Sequence, residues 1–376
     1  MTKTTNNGNK TRSVRFIISG GGTGGHIFPA ISIANAIKKR LPEADILFVG
    51  ALGRMEMERV PAAGYPIEGL PVSGFNRSNL FQNIKVISDL IRSLILARRI
   101  IRKFKPDIAI GVGGYASAPT LRAATAFGVP TLIQEQNSYA GVTNKLLSKK
   151  ASKICVAYEG MDKFFPKNKI ILTGNPVRQD LFQVKPKTRE AYQFFGFDPT
   201  KKTILVVGGS LGARTINQSI IAHLEKLQNS DIQIIWQTGK YYIESAKKAA
   251  EPFASAQLLV TDFVSRMDLA YSIADLVISR AGASSISELC LLAKPAILVP
   301  SPNVAEDHQT QNALALVRKD ASVMIKDFES KDQLVVKALE LINDSKALGK
   351  LSENIFKLAE KDSADRIVNE IFKLIK

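Results

Sequence analysis

Twice along this chain a short apolar run rich in Val and Ile empties into a cluster of glycines and then into a helix-like segment. The first instance is residues 14–18 followed by Ser19-Gly20-Gly21-Gly22-Thr23-Gly24-Gly25-His26; the second is residues 203–207 followed by Gly208-Gly209-Ser210-Leu211-Gly212-Ala213. Strand, tight turn and helix N-terminus in succession form a place where backbone N–H groups converge on an anion. Around these two points, strand-like runs at 14–19, 46–49, 107–112, 130–134, 153–156 and 170–172, then at 203–207, 232–236, 258–260, 275–279 and 296–299, alternate with helical patterns. Such alternation means parallel sheets covered by helices, here two doubly wound α/β domains that face each other across a cleft. The breaker cluster Thr173-Gly174-Asn175-Pro176 marks the passage between them. With 376 residues, 45% of them hydrophobic, the chain has ample material for two cores.

Gly20, Gly22 and Gly25 satisfy the G-x-G-x-x-G spacing of a dinucleotide turn. That reading also needs an acidic residue closing the second strand, about 20 residues on, to hold a ribose hydroxyl. The run 46–49 ends at Gly50 without a carboxylate, and the glycine cluster delivers a histidine to the helix start, where an imidazole is poised for proton transfer. Nicotinamide chemistry is therefore disfavoured.

The net charge of +17 is unevenly spread. Residues 1–175 hold 25 Lys and Arg against 10 Asp and Glu, a balance of +15, whereas residues 176–376 hold 26 against 24, a balance of +2. One domain is expected to face an anionic membrane surface while the other does something charge-neutral. A nucleic-acid-binding protein would share the basicity but not the glycine loops around one cleft. Phe75, Leu80 and Phe81, among Gly, Ser and Asn and close to Arg77 and Lys85, have the look of an interfacial membrane patch, and the helical run 87–104 reads as a helix laying its apolar face on the sheet. Cys155 and Cys290 sit in apolar surroundings without metal-like spacing, so buried thiols in a reducing compartment are expected. The first 13 residues are polar, and no apolar run approaches a membrane span, which predicts a chain neither secreted nor membrane-integral.

Four further stretches carry chemistry. Gly111-Val112-Gly113-Gly114-Tyr115-Ala116-Ser117 is a second glycine loop in the first half, and three glycines in four positions exceed what helix-to-strand packing explains. Gln134-Glu135-Gln136-Asn137 crowds polar residues at a strand's carboxyl end, where α/β ligands bind. Ser279-Arg280-Ala281-Gly282-Ala283-Ser284-Ser285-Ile286-Ser287-Glu288 sets a carboxylate one turn inside a helix. The run 306–313, with His308, Gln309 and Asn312, is dense in hydrogen-bonding groups, and the two together suit a nucleotide sugar.

These motifs, with Asn175-Pro176-Val177-Arg178, resemble in order and spacing those of the MurG family over nearly the whole chain after residue 13. The resemblance implies the GT-B fold: a polar tail at 1–13, an acceptor and membrane-facing domain at 14–173, a linker at 174–177, a UDP-sugar domain at 178–360, and a C-terminal helix at 361–376 packing back on the first domain. It implies an inverting transfer of N-acetylglucosamine from UDP-GlcNAc to the C4 hydroxyl of the muramoyl sugar of lipid I, giving lipid II, with no required metal or other cofactor and no nucleic-acid partner. The enzyme would sit peripherally on the cytoplasmic face of the cell membrane. By the same resemblance Glu288 holds the ribose hydroxyls, the backbone at Val264 reads the uracil edge, and Ser210 with Arg178 contacts the diphosphate. Gln309, Ala283 and Asn137 hold the donor sugar, and Thr23, Gly24, Gly25, Ser284 and Ser285 complete the donor site. Gly22, His26, Gly113, Gly114 and Tyr115 meet the acceptor. Arg178 makes physical sense, since a departing UDP needs its charge stabilised.

The attacking hydroxyl needs a base within hydrogen-bond reach. His26, whose place at a helix N-terminus favours the neutral imidazole, and Glu135 are the two candidates, while His223 lies in a helical pattern and reads as structural. A GT-B enzyme with another lipid acceptor, such as diacylglycerol, is the alternative activity.

Overall fold

The computed structural model describes residues 12–72, 82–209, 211–304 and 307–375. The expected patch residues Phe75, Leu80 and Phe81, the side chain of Lys85, and Ser210 lie outside what is described.

Among the described residues, thirteen strands form two all-parallel sheets. The first holds β1 (Arg15–Gly20), β2 (Asp45–Ala51), β3 (Ile67–Leu70), β4 (Ile108–Gly113), β5 (Thr131–Glu135), β6 (Lys153–Val156) and β7 (Ile170–Leu172) in the order 3-2-1-4-5-6-7. The second holds β8 (Lys202–Val207), β9 (Ile232–Gln237), β10 (Leu258–Thr261), β11 (Leu276–Ser279), β12 (Ala296–Leu298) and β13 (Val323–Met324) in the order 10-9-8-11-12-13. Each sheet reverses its winding beside its first strand, between β1 and β4 and between β8 and β11. The crevice outside the carboxyl ends of those strands is where doubly wound sheets bind ligands. The glycine clusters lie at the ends of β1, β4 and β8.

The strands read as continuous apolar runs because both sheet faces are covered. In β8, Ile204 and Val206 join one buried cluster while Leu205 joins the other, and in β1 Phe16 and Ile18 pack opposite Ile17. Two strands lack a legible signal, and both are edges. β3 is the half-exposed tetrapeptide Ile-Glu-Gly-Leu, and β13 is two residues long.

The passage between the sheets is not a solvated linker: Thr173, Gly174, Asn175, Pro176 and Val177 are all buried. Asn175 accepts from Gln134 Nε2 at 3.0 Å and donates to Gln136 O at 3.0 Å and to Ser287 Oγ at 3.2 Å, so it ties both halves to the crossing. The helix Ser363–Leu374 returns to pack on the helix Gly24–Arg40. Its Ala364, Ile367, Val368 and Ile371 are buried in the same cluster as Phe16 and Ile33, and Arg40 pairs with Asp365 at 2.9 Å.

The helix Gln82–Phe104 departs from expectation. Ser93, Ala97 and Ile101 face inward, but Leu90, Ile91 and Ile95 are exposed, Ile91 by 54%. Its long apolar side chains therefore do not all serve the sheet.

Candidate active site

The first glycine turn is shaped by a residue that carries no local signal in the sequence. β2 runs on to Ala51, and five residues later the buried Glu56, at the start of the helix Glu56–Ala62, folds back against the turn. Its Oε2 accepts from Gly22 N and its Oε1 from Ala51 N, both at 2.9 Å. A Cβ at Gly21 (φ +152°) would lie 2.0 Å from Oε1, so only glycine leaves room for the carboxylate. The second strand itself ends without a carboxylate, and the one that reaches the turn comes from the following helix, outside the strand-end position where a ribose-binding acid is sought. It also puts a negative charge where the turn was expected to receive an anion.

His26 stands in the first turn of the helix Gly24–Arg40, half-buried, with Nδ1 3.1 Å from Gly21 O and 3.4 Å from Thr23 Oγ1. A carbonyl only accepts, so this contact assigns the proton to Nδ1 and leaves Nε2 with its lone pair. Burial holds the imidazole pKa below its usual 6.5. Glu135, the Gly21 carbonyl and Glu56 pull the other way, and His308, from the opposite half, adds to the lowering. The site therefore favours a neutral imidazole that can accept a proton.

The three glycines at the end of β4 all find an explanation in packing. A Cβ at Gly111 would meet the Leu121 side chain at 2.6 Å, one at Gly113 (φ +98°) would lie 2.9 Å from His26 Nε2, and one at Gly114 (φ +84°) would lie 2.4 Å from Gly21 O. Glycine loop packs on glycine loop, and the space beside Nε2 is kept by Gly113. Tyr115, more than half exposed, stands at the rim.

Glu135 is buried at the end of β5 with four donors on it: Asn137 N (3.1 Å) and Nδ2 (3.2 Å) on Oε1, Gly141 N (3.1 Å) and Asn144 Nδ2 (2.9 Å) on Oε2. A carboxylate so occupied organises the loop 136–141 and supplies a fixed charge near His26; its lone pairs are committed. The same loop is stapled to the opposite half. Asn312, fully buried in the helix His308–Val317, accepts from Ser138 N at 3.0 Å and Ser138 Oγ at 3.1 Å, and donates to Asn137 Oδ1 at 3.1 Å and Ala281 O at 3.3 Å. Asn312 was legible only as a member of a polar run, and Asn144 carried no signal in the sequence.

In the second half, Gly209 (φ +83°) has no atom within 4 Å of where a Cβ would lie, while Gly212 (φ +92°) is pressed against Thr238 O. Glu288, on the helix Ala283–Leu291, takes Arg178 Nε on Oε1 at 3.3 Å and the hydroxyl of buried Tyr271 on Oε2 at 3.0 Å. The anionic Glu288 pushes the Tyr271 phenol pKa up, a lesser cause than the burial that dominates the shift. Ala283 begins that helix, Ser284 Oγ is buried without a hydrogen-bond partner, and Ser285 is half-buried. Val264 is buried, and Gln309 Oε1 accepts from Ser301 N at 2.9 Å. The structure thus joins Arg178 to Glu288, and brings Glu135 and His308 within electrostatic reach of His26. Thr23 and Gly22 are exposed at the mouth of the first turn, and Gly24 and Gly25 are half-buried behind them.

The model of the glycosyltransferase family 28 N-terminal domain matches residues 16–156, and that of its C-terminal domain matches residues 203–367. The UDP-N-acetylglucosamine--N-acetylmuramyl-(pentapeptide) pyrophosphoryl-undecaprenol N-acetylglucosamine transferase of Parabacteroides distasonis is 67% identical over 97% of this chain and 99% of its own. The enzyme of the same name from Bacteroides fragilis is 61% identical over 100% and 99%. Among solved structures, Acinetobacter baumannii MurG superposes with a TM-score of 0.76 at 26% identity over 96% of this chain and 99% of that one. The UDP-GlcNAc 2-epimerase of Neisseria meningitidis, at 16% identity, TM-score 0.67 and coverage of 96% and 100%, shares the fold alone. Two parallel-sheet domains in this order, the two domain models in register with them, and identity above 60% over essentially the full length show that the chain belongs to the MurG family of glycosyltransferase family 28.

Proposed function

We propose that this chain transfers N-acetylglucosamine from UDP-GlcNAc to the C4 hydroxyl of the muramoyl sugar in lipid I, yielding lipid II and UDP. The full-length identity to enzymes of that name supports the activity, and a lipid acceptor of another kind is not favoured. The observation that carries the chemistry is His26: Nδ1 is engaged by Gly21 O, and Nε2 is left basic beside Gly113, at the carboxyl ends of β1 and β4. The acceptor oxygen forms its bond to the anomeric carbon as the bond to the UDP oxygen breaks. UDP leaves with that electron pair, and the acceptor proton goes to Nε2. Glu135, its oxygens already bonded, keeps the loop 136–141 in place and offsets the charge of the imidazolium.

The donor lies over the second sheet. Glu288 holds the ribose hydroxyls, Arg178 and the turn 208–212 face the diphosphate, and Asn137, Ala283, Ser284, Ser285 and Gln309 surround the sugar. Val264 lines the uracil. Arg178 supplies the charge that stabilises departing UDP. Thr23, Gly24 and Gly25 border the donor from the first half, and Gly22, Gly113, Gly114 and Tyr115 the acceptor.

The first half rests on an anionic membrane surface. Leu90, Ile91 and Ile95 are exposed on the helix Gln82–Phe104, whose Arg92, Arg98, Arg99 and Arg102 are exposed as well, a pairing suited to an interfacial contact. No helix among the described residues is long and apolar enough to cross a membrane, which fits peripheral attachment at the cytoplasmic face. The decisive experiment supplies labelled UDP-GlcNAc and a soluble lipid I analogue to the purified protein: lipid II analogue must form. His26→Ala is expected to lower kcat by about 10²–10⁴ with the donor KM little changed, and near-normal turnover in the folded variant removes the base role.

A further inference from the structure

The peptide unit joining Gly21 to Gly22 is held at both ends. Its N–H donates to Glu56 Oε2 at 2.9 Å, and its carbonyl oxygen is 3.1 Å from His26 Nδ1. Carboxylate, peptide and imidazole therefore form one hydrogen-bonded row, with the lone pair of Nε2 at its far end. We propose that Glu56 is a positioning residue that works on His26 through this single peptide, in the way a carboxylate bonded directly to an imidazole would; this rests on His26 being the base.

Three observations support the row as a built feature. Glu56 is 1% exposed, and its two oxygens are met by two backbone N–H groups, so its charge is fixed in place. The volume it fills is made available by missing side chains: a Cβ at Gly21 would sit 2.0 Å from its Oε1, and one at Gly50 2.6 Å from its Cγ. The peptide itself is clamped from the other side, since a Cβ at Gly114 would come within 2.4 Å of the Gly21 oxygen. A peptide N–H bound to a carboxylate is polarised, which strengthens its carbonyl as an acceptor. That holds Nδ1 protonated and keeps the lone pair on Nε2. The acceptor's proton ends on Nε2, and the row disperses the imidazolium charge without moving a second proton.

The charged and titratable groups facing His26 are Glu56, Glu135 and His308, and of these only Glu56 bonds to the peptide that holds its ring. Neutralising Glu56 should make the imidazole harder to protonate. The test is ¹⁵N NMR of the ring nitrogens of full-length protein, whose three histidines keep the spectrum simple, alongside steady-state kinetics. In Glu56→Gln the His26 pKa should fall by roughly half a unit and its Nδ1–H tautomer should lose population. His223, which bonds to Ser219 O in another helix, should not respond. The acidic limb of kcat/KM should move to lower pH with the ring, and kcat should drop roughly tenfold at constant donor KM, less than the loss on disturbing a carboxylate in direct contact. The double variant with His26→Ala should be no slower than His26→Ala alone. If Glu56→Gln does not fold, Glu56→Asp, which keeps the charge but withdraws it, should lower the ring pKa by a smaller step. An unchanged His26 pKa and tautomer in a folded variant overturns the proposal, even if His26→Ala is inactive. A shifted ring together with an active His26→Ala sinks the base role and leaves the positioning by Glu56 standing.

Discussion

The two glycine turns begin from the same local device and end as opposites. Gly20 and Gly21 are closed against the protein, the Gly21 backbone packed on Gly114 and the Gly22 N–H taken by Glu56, although Gly22 itself stays exposed at the mouth. The turn from Gly208 to Gly212 is backed by Thr238 and Gly239, yet Gly209 looks onto open space. One turn is loaded with the protein's own carboxylate and holds the His26 ring; the other leaves its backbone accessible at Gly209. A strand–glycine–helix unit thus supplies converging N–H groups, but the loop after the neighbouring strand decides whether a ligand or a side chain receives them. The contrast runs against the charge of the two halves, because the local negative charge sits in the basic half.

The sharpest way to break this comparison is to add one methyl to each turn. Gly21→Ala drives a Cβ into buried Glu56 at a φ that L-residues avoid, and should cost about 1–3 kcal/mol from overpacking alone, with most activity lost; thermal denaturation and turnover measure it. Gly209→Ala meets no protein atom, so the fold should lose only about 1 kcal/mol of backbone strain while the KM for UDP-GlcNAc rises. Equal destabilisation by the two would erase the distinction. Next in size is Glu288→Gln, which weakens the pairing with Arg178 and, on the proposed donor placement, the hold on the ribose: about a tenfold loss of UDP-GlcNAc affinity by calorimetry is expected, with the His26 ring unaffected.

The pH dependence should separate the halves as well. Burial lowers the His26 pKa, so the imidazole stays a competent base until the pH falls below the ordinary 6.5, and kcat/KM should decline only there, whereas UDP-GlcNAc binding should stay level through the same range. A decline that begins above pH 6.5 would contradict the buried, neutral imidazole. Smallest in effect on chemistry, Leu90, Ile91 and Ile95 changed together to Ser should reduce association with anionic liposomes and leave turnover of a soluble acceptor unchanged. Undiminished liposome binding would move the membrane contact elsewhere on the basic half.

Much of this architecture was legible because parallel strands announce themselves as apolar runs, and eleven of the described strands stand out in that way, the partly exposed edges β7 and β10 among them. β3 and β13 did not, since an edge strand needs neither length nor a full apolar face. The helix Gln82–Phe104 misled for a related reason: apolar residues at helical spacing say that a face is to be covered, not by what. Among the site residues, His26 was visible because it opens a helix beside glycines, Glu135 because it ends a strand in a polar run, and Glu288 because it lies one turn inside a helix that follows a strand end and a glycine, whereas Arg178 entered only through the family resemblance. Glu56, Asn144 and Tyr271 were not, because each acts on a partner distant in sequence and lies in a helix of ordinary composition.

By itself, then, the sequence determined the two doubly wound sheets, the glycine turns at their carboxyl ends and the histidine at the first helix start, because hydrophobic period and glycine placement are local properties that survive without tertiary context. Only the folded chain decided which nitrogen of His26 keeps its lone pair, that Glu135 is saturated with donors, and that Glu56 fills the first turn. Those outcomes depend on how the loops fold: His26 turns onto a carbonyl five residues back, Glu135 onto donors two to nine residues on, and Glu56 onto a glycine 34 residues back, choices that hydrophobic period and glycine placement do not encode.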